Sequence, residues 1–171
     1  MSTLKTNQIQ TISGKPILNS SGSILQVVQL TYASKSTNAS ISAFTDTPFG
    51  TLSITPSSST NKILLSTTFG YGISAGTTCF FRFTRNGTPV GTSGVDYNGS
   101  FGTGGSSNDA WRECVSFEYL DSPATTSPLS YKIQFLPYDT GRTVYWNDTP
   151  SGSALDDATG VTVFTAMEVS G

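Results

Sequence analysis

The chain has 171 residues, of which 12% are charged, and its formal net charge is −2. That length suits one domain with a single hydrophobic core, and the charged fraction is about half of the usual share. Disordered chains combine few apolar residues with a high net charge, whereas this chain carries 10 Phe, 7 Tyr and 2 Trp. We therefore expect an ordered domain whose polar surface consists of Ser, Thr, Asn and Gly.

The composition also argues against several classes of partner. Lys and Arg are scattered singly, so no basic stripe is available for phosphate contacts and we expect no nucleic-acid binding. No apolar run is long enough to span a bilayer, and the N-terminal MSTLKTNQIQ lacks the hydrophobic segment of a signal peptide. We expect a protein that is made in a cytoplasm, does not insert into membranes, and reaches any outside location by assembly or lysis.

Residues 1–23 differ from the rest of the chain. The segment is polar, cannot build a core of its own, and has as its apolar anchors Leu4, Ile9, Ile12, Ile17 and Leu18. It is either a frayed terminus or an extended arm that becomes ordered by lying on another chain. The spaced isoleucines favour the arm, which would precede a folded domain at residues 24–171.

Period-two alternation predicts β-strands in the folded domain. Residues 24–32 (ILQVVQLTY) form the first predicted strand, and apolar residues on both of its faces indicate burial by a second sheet or a partner. A weaker strand is predicted at residues 39–44. Residues 52–71 read as two strands joined by the polar turn PSSSTN, the second strand having one apolar face. Another strand ends in a tight turn at Asn86–Gly87.

The second half of the chain continues the same pattern. Residues 91–109 form a long glycine-rich loop, which is a candidate variable surface or subunit contact. Strands are predicted at residues 111–120, 131–135, 143–146 and 161–169. About eight to ten short strands without a helical pattern predict an all-β, antiparallel β-sandwich that is jelly-roll-like, with an extended N-terminal arm.

Few residues point to chemistry. The chain has no histidine, which removes Ser-His-Asp and Cys-His nucleophile systems and the usual zinc sites. Glu113 and Glu118 would lie on opposite faces of one strand, so they do not form an obvious acid–base pair. Asp156 and Asp157 could bind calcium, but a solvated turn is the favoured interpretation. We expect no catalytic residues, no cofactor and no metal.

Aromatic side chains beside polar loops could recognise a sugar. The candidates for surface recognition are Tyr97, Phe101, Tyr145 and Trp146. The alternative, which we favour, is that these rings fill the core or subunit contacts. Cys79 and Cys114 could form a disulfide if their strands are neighbours, but two small buried hydrophobic residues are the favoured interpretation.

Four segments of the chain resemble a known family. They are LKTNQIQTISGKPILNSSGSILQVVQ, LSITPSSSTNKILL, FRFTRNGTPVG and TVFTAMEVSG. They are similar to tail-fibre-like and virion structural proteins of tailed bacteriophages of marine bacteria and cyanobacteria. The resemblance implies a homotrimer of β-sandwich heads with an N-terminal attachment arm. Since no coiled-coil or collagen-like shaft is present, we expect a short spike, a tail-tip or fibre component, or a capsid-decoration protein.

Our hypothesis is therefore a bacteriophage virion structural protein located in the phage particle. The arm would dock the subunit to other virion proteins or to sister chains, and three subunits would bury the leftover apolar faces of ILQVVQL and VTVFTAMEV. The alternative hypothesis is a carbohydrate-binding adhesin of the phage tail that contacts host surface glycans.

Overall fold

A computed structural model describes residues 21–39, 41–74, 77–92, 94, 101–104, 111–148 and 160–171, and for 101–104, 111 and 112 it describes the backbone alone. Within these ranges the chain forms strands and no helix. The described residues therefore contain no helix that could cross a bilayer. The strands are β1 (Ile24–Tyr32), β2 (Ser36–Ala39), β3 (Thr45–Asp46), β4 (Leu52–Ile54), β5 (Lys62–Ile73), β6 (Thr78–Arg85), β7 (Thr88–Val90), β8 (Phe101–Gly104), β9 (Trp111–Asp121), β10 (Leu129–Pro137), β11 (Thr143–Trp146) and β12 (Thr162–Val169).

The strands form two antiparallel sheets. In sheet 1, β9 pairs with β5 along its whole length, while β12 and β11 share the other edge of β5. β1 then pairs with β12, and β2 pairs with β11. Consecutive short strands therefore act as one long strand, and sheet 1 has four positions in the order β1/β2, β12/β11, β5, β9.

Sheet 2 is built in the same way. β3 and β4 both pair with β10, which pairs on its other edge with β6, and β6 in turn pairs with β7 and β8. Its four positions are β3/β4, β10, β6 and β7/β8. Along the chain, successive positions alternate between the two sheets except where β6 is followed by β7 and β8 within sheet 2, which is the connectivity of a jelly roll. The predicted all-β, jelly-roll-like sandwich is confirmed.

The predicted strand at residues 39–44 is wrong. In the structure β2 ends at Ala39, the first residue of this stretch, β3 begins at Thr45, and residues 41–44 are not in a strand. The reason is topological, because the chain crosses from sheet 1 to sheet 2 here and cannot pair with both. Phe49 follows in a turn and inserts its ring into the core.

The core lies between the sheets and is rich in aromatic rings. Trp146 is at its centre, with ring centroids 4.7 Å from Phe135 and 5.1 Å from Phe49 in edge-on geometry. Phe69 of sheet 1 and Phe81 of sheet 2 meet across the interface at 5.0 Å, also edge-on. Such pairs add to the free energy of burial, and their interlocking shapes fix how the two sheets are oriented.

A buried carboxylate joins the two sheets at one end. Asp121, the last residue of β9, accepts two hydrogen bonds from Arg85 Nη1, at 2.7 and 2.8 Å, and one from Tyr131 Oη at 2.7 Å. Burial of the phenol, together with the nearby Asp121 carboxylate, raises the pKa of Tyr131. Since β9 belongs to sheet 1 while β6 and β10 belong to sheet 2, this cluster stabilises the contact between the sheets.

A second buried carboxylate holds a turn against sheet 1. Glu168 of β12 is 1% exposed and accepts hydrogen bonds from Gln26, Asn61 and both the backbone and hydroxyl of Ser57. Burial alone would raise the pKa of this carboxyl, but the hydrogen bonds from Asn61, Gln26 and Ser57 outweigh burial and lower the pKa to about 2. The ionised carboxylate thus ties the β4–β5 turn to β1 and β12.

Replacement of Asp121 by Ala should lower the free energy of unfolding by about 2–3 kcal/mol, because Arg85 and the Tyr131 hydroxyl lose their buried partner. The measurement is chemical denaturation. Asp46→Ala is the matched control, since the ion pair of Asp46 with Lys132 has both side chains exposed and should contribute less than about 1 kcal/mol. Equal losses in the two variants would contradict the assignment of Asp121 as the link between sheets.

Glu168 should also make the free energy of unfolding depend on pH. Its folded-state pKa is lowered, so its contribution of about 3 kcal/mol is complete above the unfolded pKa near 4.5 and is lost as the pH falls toward 2. Denaturation of wild type and Glu168→Gln should therefore show a stability difference that shrinks between about pH 6 and about pH 2.5. A difference that stays constant over this range would show that Glu168 is not held ionised by the fold.

Candidate functional site

Within the part of the chain that the structure describes, the outer face of sheet 1 is a distinctive surface. Pairing places Val27 of β1 beside Met167 of β12, Met167 beside Leu64 of β5, and Leu64 beside Leu120 of β9. These four side chains, which we call the apolar row, cross every position of the sheet. With a strand spacing of roughly 4.8 Å, the row is about 14 Å wide.

The apolar row faces outward. Val27 is 56% exposed and Leu120 is 44% exposed, while Leu64 and Met167 are shielded in part by their neighbours. Ile24 and Leu25, both also exposed, extend the apolar surface at the start of β1. Outer positions of an antiparallel sheet are usually polar, so contiguous apolar side chains distinguish this face from an ordinary solvated sheet surface.

Polar residues lie beside the apolar row on the same face. Ser66 donates to Glu118 Oε1 at 3.0 Å, and Gln29 donates to Thr165 at 3.2 Å. Lys62 is exposed on the opposite side of the row. Over β1, β5, β9 and β12, Lys62 and Glu118 are the only charged side chains that the structure describes in outer positions. Among the described side chains of these four strands, the outer face therefore carries one charge of each sign.

The outer face of sheet 2 is different in character. Arg82 donates two hydrogen bonds to Gln134, at 2.8 and 2.9 Å, and its guanidinium lies 3.7 Å from the centre of the Phe44 ring. Gln134 and Lys132 both donate to Asp46. Burial alone would raise the pKa of Asp46. The hydrogen bonds from Lys132 and Gln134 outweigh burial, so the pKa of Asp46 lies below its usual value. This network of charged groups suits a face that remains in water.

A cavity of about 390 Å³ lies where β11 and β12 separate beside β5. Asn147 closes part of the gap: its backbone N–H donates to Gly70 O at 3.0 Å and its side chain donates to Tyr32 O at 2.9 Å. Glu113 also lines the cavity. Its Oε2 atom is buried without a hydrogen-bond partner among the described residues, and burial raises the pKa of this carboxyl.

The described carboxylates do not form a recognisable chemical centre. Glu113 and Glu118 lie on opposite faces of β9, as the alternation predicts. Asp148 at the cavity wall pairs with Lys35 at 3.0 Å. Among the residues that the structure describes, no group of three or more His, Cys, Asp or Glu side chains is placed to hold a metal ion. Asp156 and Asp157 lie outside the described residues.

One of the candidate recognition residues, Trp146, lies in the core, which is the interpretation that the sequence favoured for these rings. Trp146 has no exposed surface, and its indole N–H donates to Asn38 Oδ1 at 2.7 Å, so a surface role for this ring is wrong. Alternation along the short β11 turns Tyr145 to the outer face of sheet 1, where it is half-buried. Tyr97 and the side chain of Phe101 lie outside the described residues. The adhesin hypothesis therefore depends on Tyr97, Phe101 and Tyr145.

The predicted attachment residues also lie outside the described part of the chain; they are Leu4, Ile9, Ile12, Ile17 and Leu18. The end of the predicted arm is described. Gly22 N donates to Ser170 O at 2.8 Å, and Ser170 N donates to Ser23 O at 2.9 Å. Backbone pairing of sheet 1 thus continues through Gly22, two residues inside the arm boundary predicted after Ser23.

The sequence alone does not reveal the apolar row. Its members come from four separate strands, and each one has an unremarkable alternating sequence. The available signal was the presence of apolar residues on the second face of several strands, which β1 and β12 showed clearly and which Leu64 and Leu120 showed singly. Only the pairing register brings these residues together.

Comparison with known proteins identifies no family. No family model and no curated protein matches this sequence. Among solved structures, the chain is similar to one from the structure of infectious bursal disease virus Gx strain, with 11% sequence identity and a TM-score of 0.41. The match covers 96% of this chain and 42% of that chain, so this chain spans less than half of its length. Identity and TM-score are too low to indicate a shared function.

The two cysteines are free and differ in accessibility, which corrects the expectation that both are buried. Cys79 has no exposed surface, and its burial raises the pKa of the thiol, whereas Cys114 is exposed on the outer face of β9.

Reaction with a thiol reagent tests this difference. Since the thiolate fraction and the accessibility of a cysteine both control its reactivity, one thiol should react in the native protein and two after denaturation. Cys114→Ser should abolish the native reaction and Cys79→Ser should leave it intact. The reverse pattern would contradict the strand faces assigned here.

Proposed function

We propose that this protein is a structural component of a virus particle, assembled through the outer face of sheet 1. The observation that carries the proposal is the contrast between the two outer faces. Among the described side chains, the outer face of sheet 1 presents the apolar row with Lys62 and Glu118 beside it. The outer face of sheet 2 presents a hydrogen-bonded network of Arg82, Lys132 and Asp46, next to the half-buried pair Phe80 and Leu136. A subunit with one face of each kind has one side suited to contact with other chains and one side suited to water.

The sandwich between these faces is suited to a structural role. Its core is built from interlocking aromatic rings, and the buried carboxylates of Asp121 and Glu168 join elements that are distant in sequence. Satisfied buried polar groups make one arrangement of the elements much more stable than its alternatives. The outer face of sheet 1 is consequently a defined surface, which repeated contacts in a particle require.

The narrower form of the proposal is a bacteriophage virion protein. It is supported by the resemblance of four sequence segments to virion structural proteins of tailed phages. That resemblance supports a homotrimer of heads, used as a short fibre, spike or capsid-decoration component. In this proposal residues 1–20 are the arm that attaches each head to other virion proteins, since Gly22 and Ser23 already belong to the sandwich.

Removal of residues 1–20 should leave the sandwich folded but prevent its attachment to the virus particle. Because Gly22 and Ser23 hydrogen bond to Ser170, the remaining chain retains all of the described pairing of sheet 1 and should unfold within a few degrees of the full-length protein. It should be absent from particles purified after infection in which it replaces the wild type. A further deletion through Ser23 is the comparison for stability, since it removes the pairing with Ser170. Incorporation of the chain lacking residues 1–20 at the wild-type level would contradict the attachment role.

A further inference from the structure

We propose that the apolar row packs face to face against the same row of a second copy of this chain, related by a two-fold axis that runs along the row. This pairing depends on the apolar row and not on residues 1–20. Experiments can therefore test it separately from the attachment role proposed for residues 1–20.

The positions of Lys62 and Glu118 on the face support a two-fold contact. Lys62 lies two residues before Leu64, and Glu118 lies two residues before Leu120. Because β5 and β9 are antiparallel and Leu64 is paired with Leu120, these charges lie on opposite sides of the row. Turning a second copy over about the row brings its Lys62 to the side that holds Glu118 of the first copy. Symmetry repeats the contact, so each pair of copies gains two contacts of opposite charge.

The dimensions of packed sheets suit this arrangement. Facing sheets stack about 10 Å apart, and β5 and β9 are roughly 4.8 Å apart, so extended Lys62 and Glu118 side chains reach each other from the facing sheets. The row itself meets its equivalent, which places Val27, Met167, Leu64 and Leu120 against apolar side chains along its whole width. Ser66 and Thr165 beside the row already have hydrogen-bond partners, so burying them leaves few groups unsatisfied.

The charged part of the other described face is a poor complement to the row. The outer face of sheet 2 carries Arg82, Lys132 and Asp46, and burying that network against apolar side chains would desolvate charges without new partners. A three-fold contact would have to pair the row with a surface of different composition. A two-fold contact pairs it with itself, and the combination with a separate three-fold contact gives six copies.

The test is the mass of the full-length protein in solution, measured by light scattering or native mass spectrometry over a concentration series. The proposal predicts two copies, or six where a three-fold contact is also present. Leu120→Glu should place carboxylates against each other in the row and reduce the assembly to half of its copies. Leu136→Glu is the matched control, since Leu136 is half-buried on the outer face of sheet 2, and it should leave the copy number unchanged.

Charge reversal tests the orientation of the two copies. Lys62→Glu and Glu118→Lys should each weaken the pairing about tenfold or more, because each places like charges in contact. The double variant restores opposite charges and should pair within about threefold of the wild type. Circular dichroism of every variant checks that the sandwich is still folded. Single variants that pair as tightly as the wild type, or a double variant as weak as the singles, would overturn the two-fold arrangement.

The chain lacking residues 1–20 distinguishes two possible occupants of the row, a second copy of the row and the segment of residues 1–20 itself. An even copy number that survives this truncation supports contact between rows. A full-length monomer, a trimer that Leu120→Glu does not alter, or pairing that is lost with residues 1–20 would each overturn the proposal. None of these results bears on whether the arm attaches the subunit to a particle, which the incorporation experiment decides.

Discussion

The register of β5 is the constraint on which both the interior and the contact surface depend. β5 is paired along both edges, so it cannot slip without breaking its ladders with β9, β11 and β12. A shift by one residue would turn Ile63 and Leu65 out to solvent and Leu64 into the core. The strand therefore determines at once which residues fill the core and which form the apolar row.

Buried polar groups at the strand ends hold this arrangement in place. Asp121 joins the sheets, Glu168 holds the β4–β5 turn, and Asn147 stands at the junction where β11 ends and β12 begins. Asn147 adopts a left-handed backbone, with φ of 52°, and its side chain both donates to Tyr32 O and accepts from Thr162 at 3.1 Å. Asn tolerates this conformation better than most residues. Each group is hydrogen bonded where the regular ladders end, so the outer faces keep a defined shape.

Local pattern was sufficient to predict the fold class and most of the strand faces, because side-chain alternation depends only on the strand itself. It placed Ile63, Leu65 and Phe69 correctly in the core. It could not show that Leu64 and Leu120 are neighbours, because register between strands depends on long-range pairing. It left Trp146 open between the core and the surface for a related reason: its strand has four residues and adjoins polar loops, so local sequence does not reveal which of its faces is inward.

We infer that the outer face of sheet 1 is buried between copies while that of sheet 2 stays in water. Electron cryomicroscopy of the assembled protein, at a resolution that shows side chains, tests it most directly. The account predicts that Leu64 and Leu120 lie in van der Waals contact with another copy and that Arg82 and Lys132 face solvent. An assembly in which the apolar row faces solvent, or in which the charged network of sheet 2 forms the contact between copies, would contradict it.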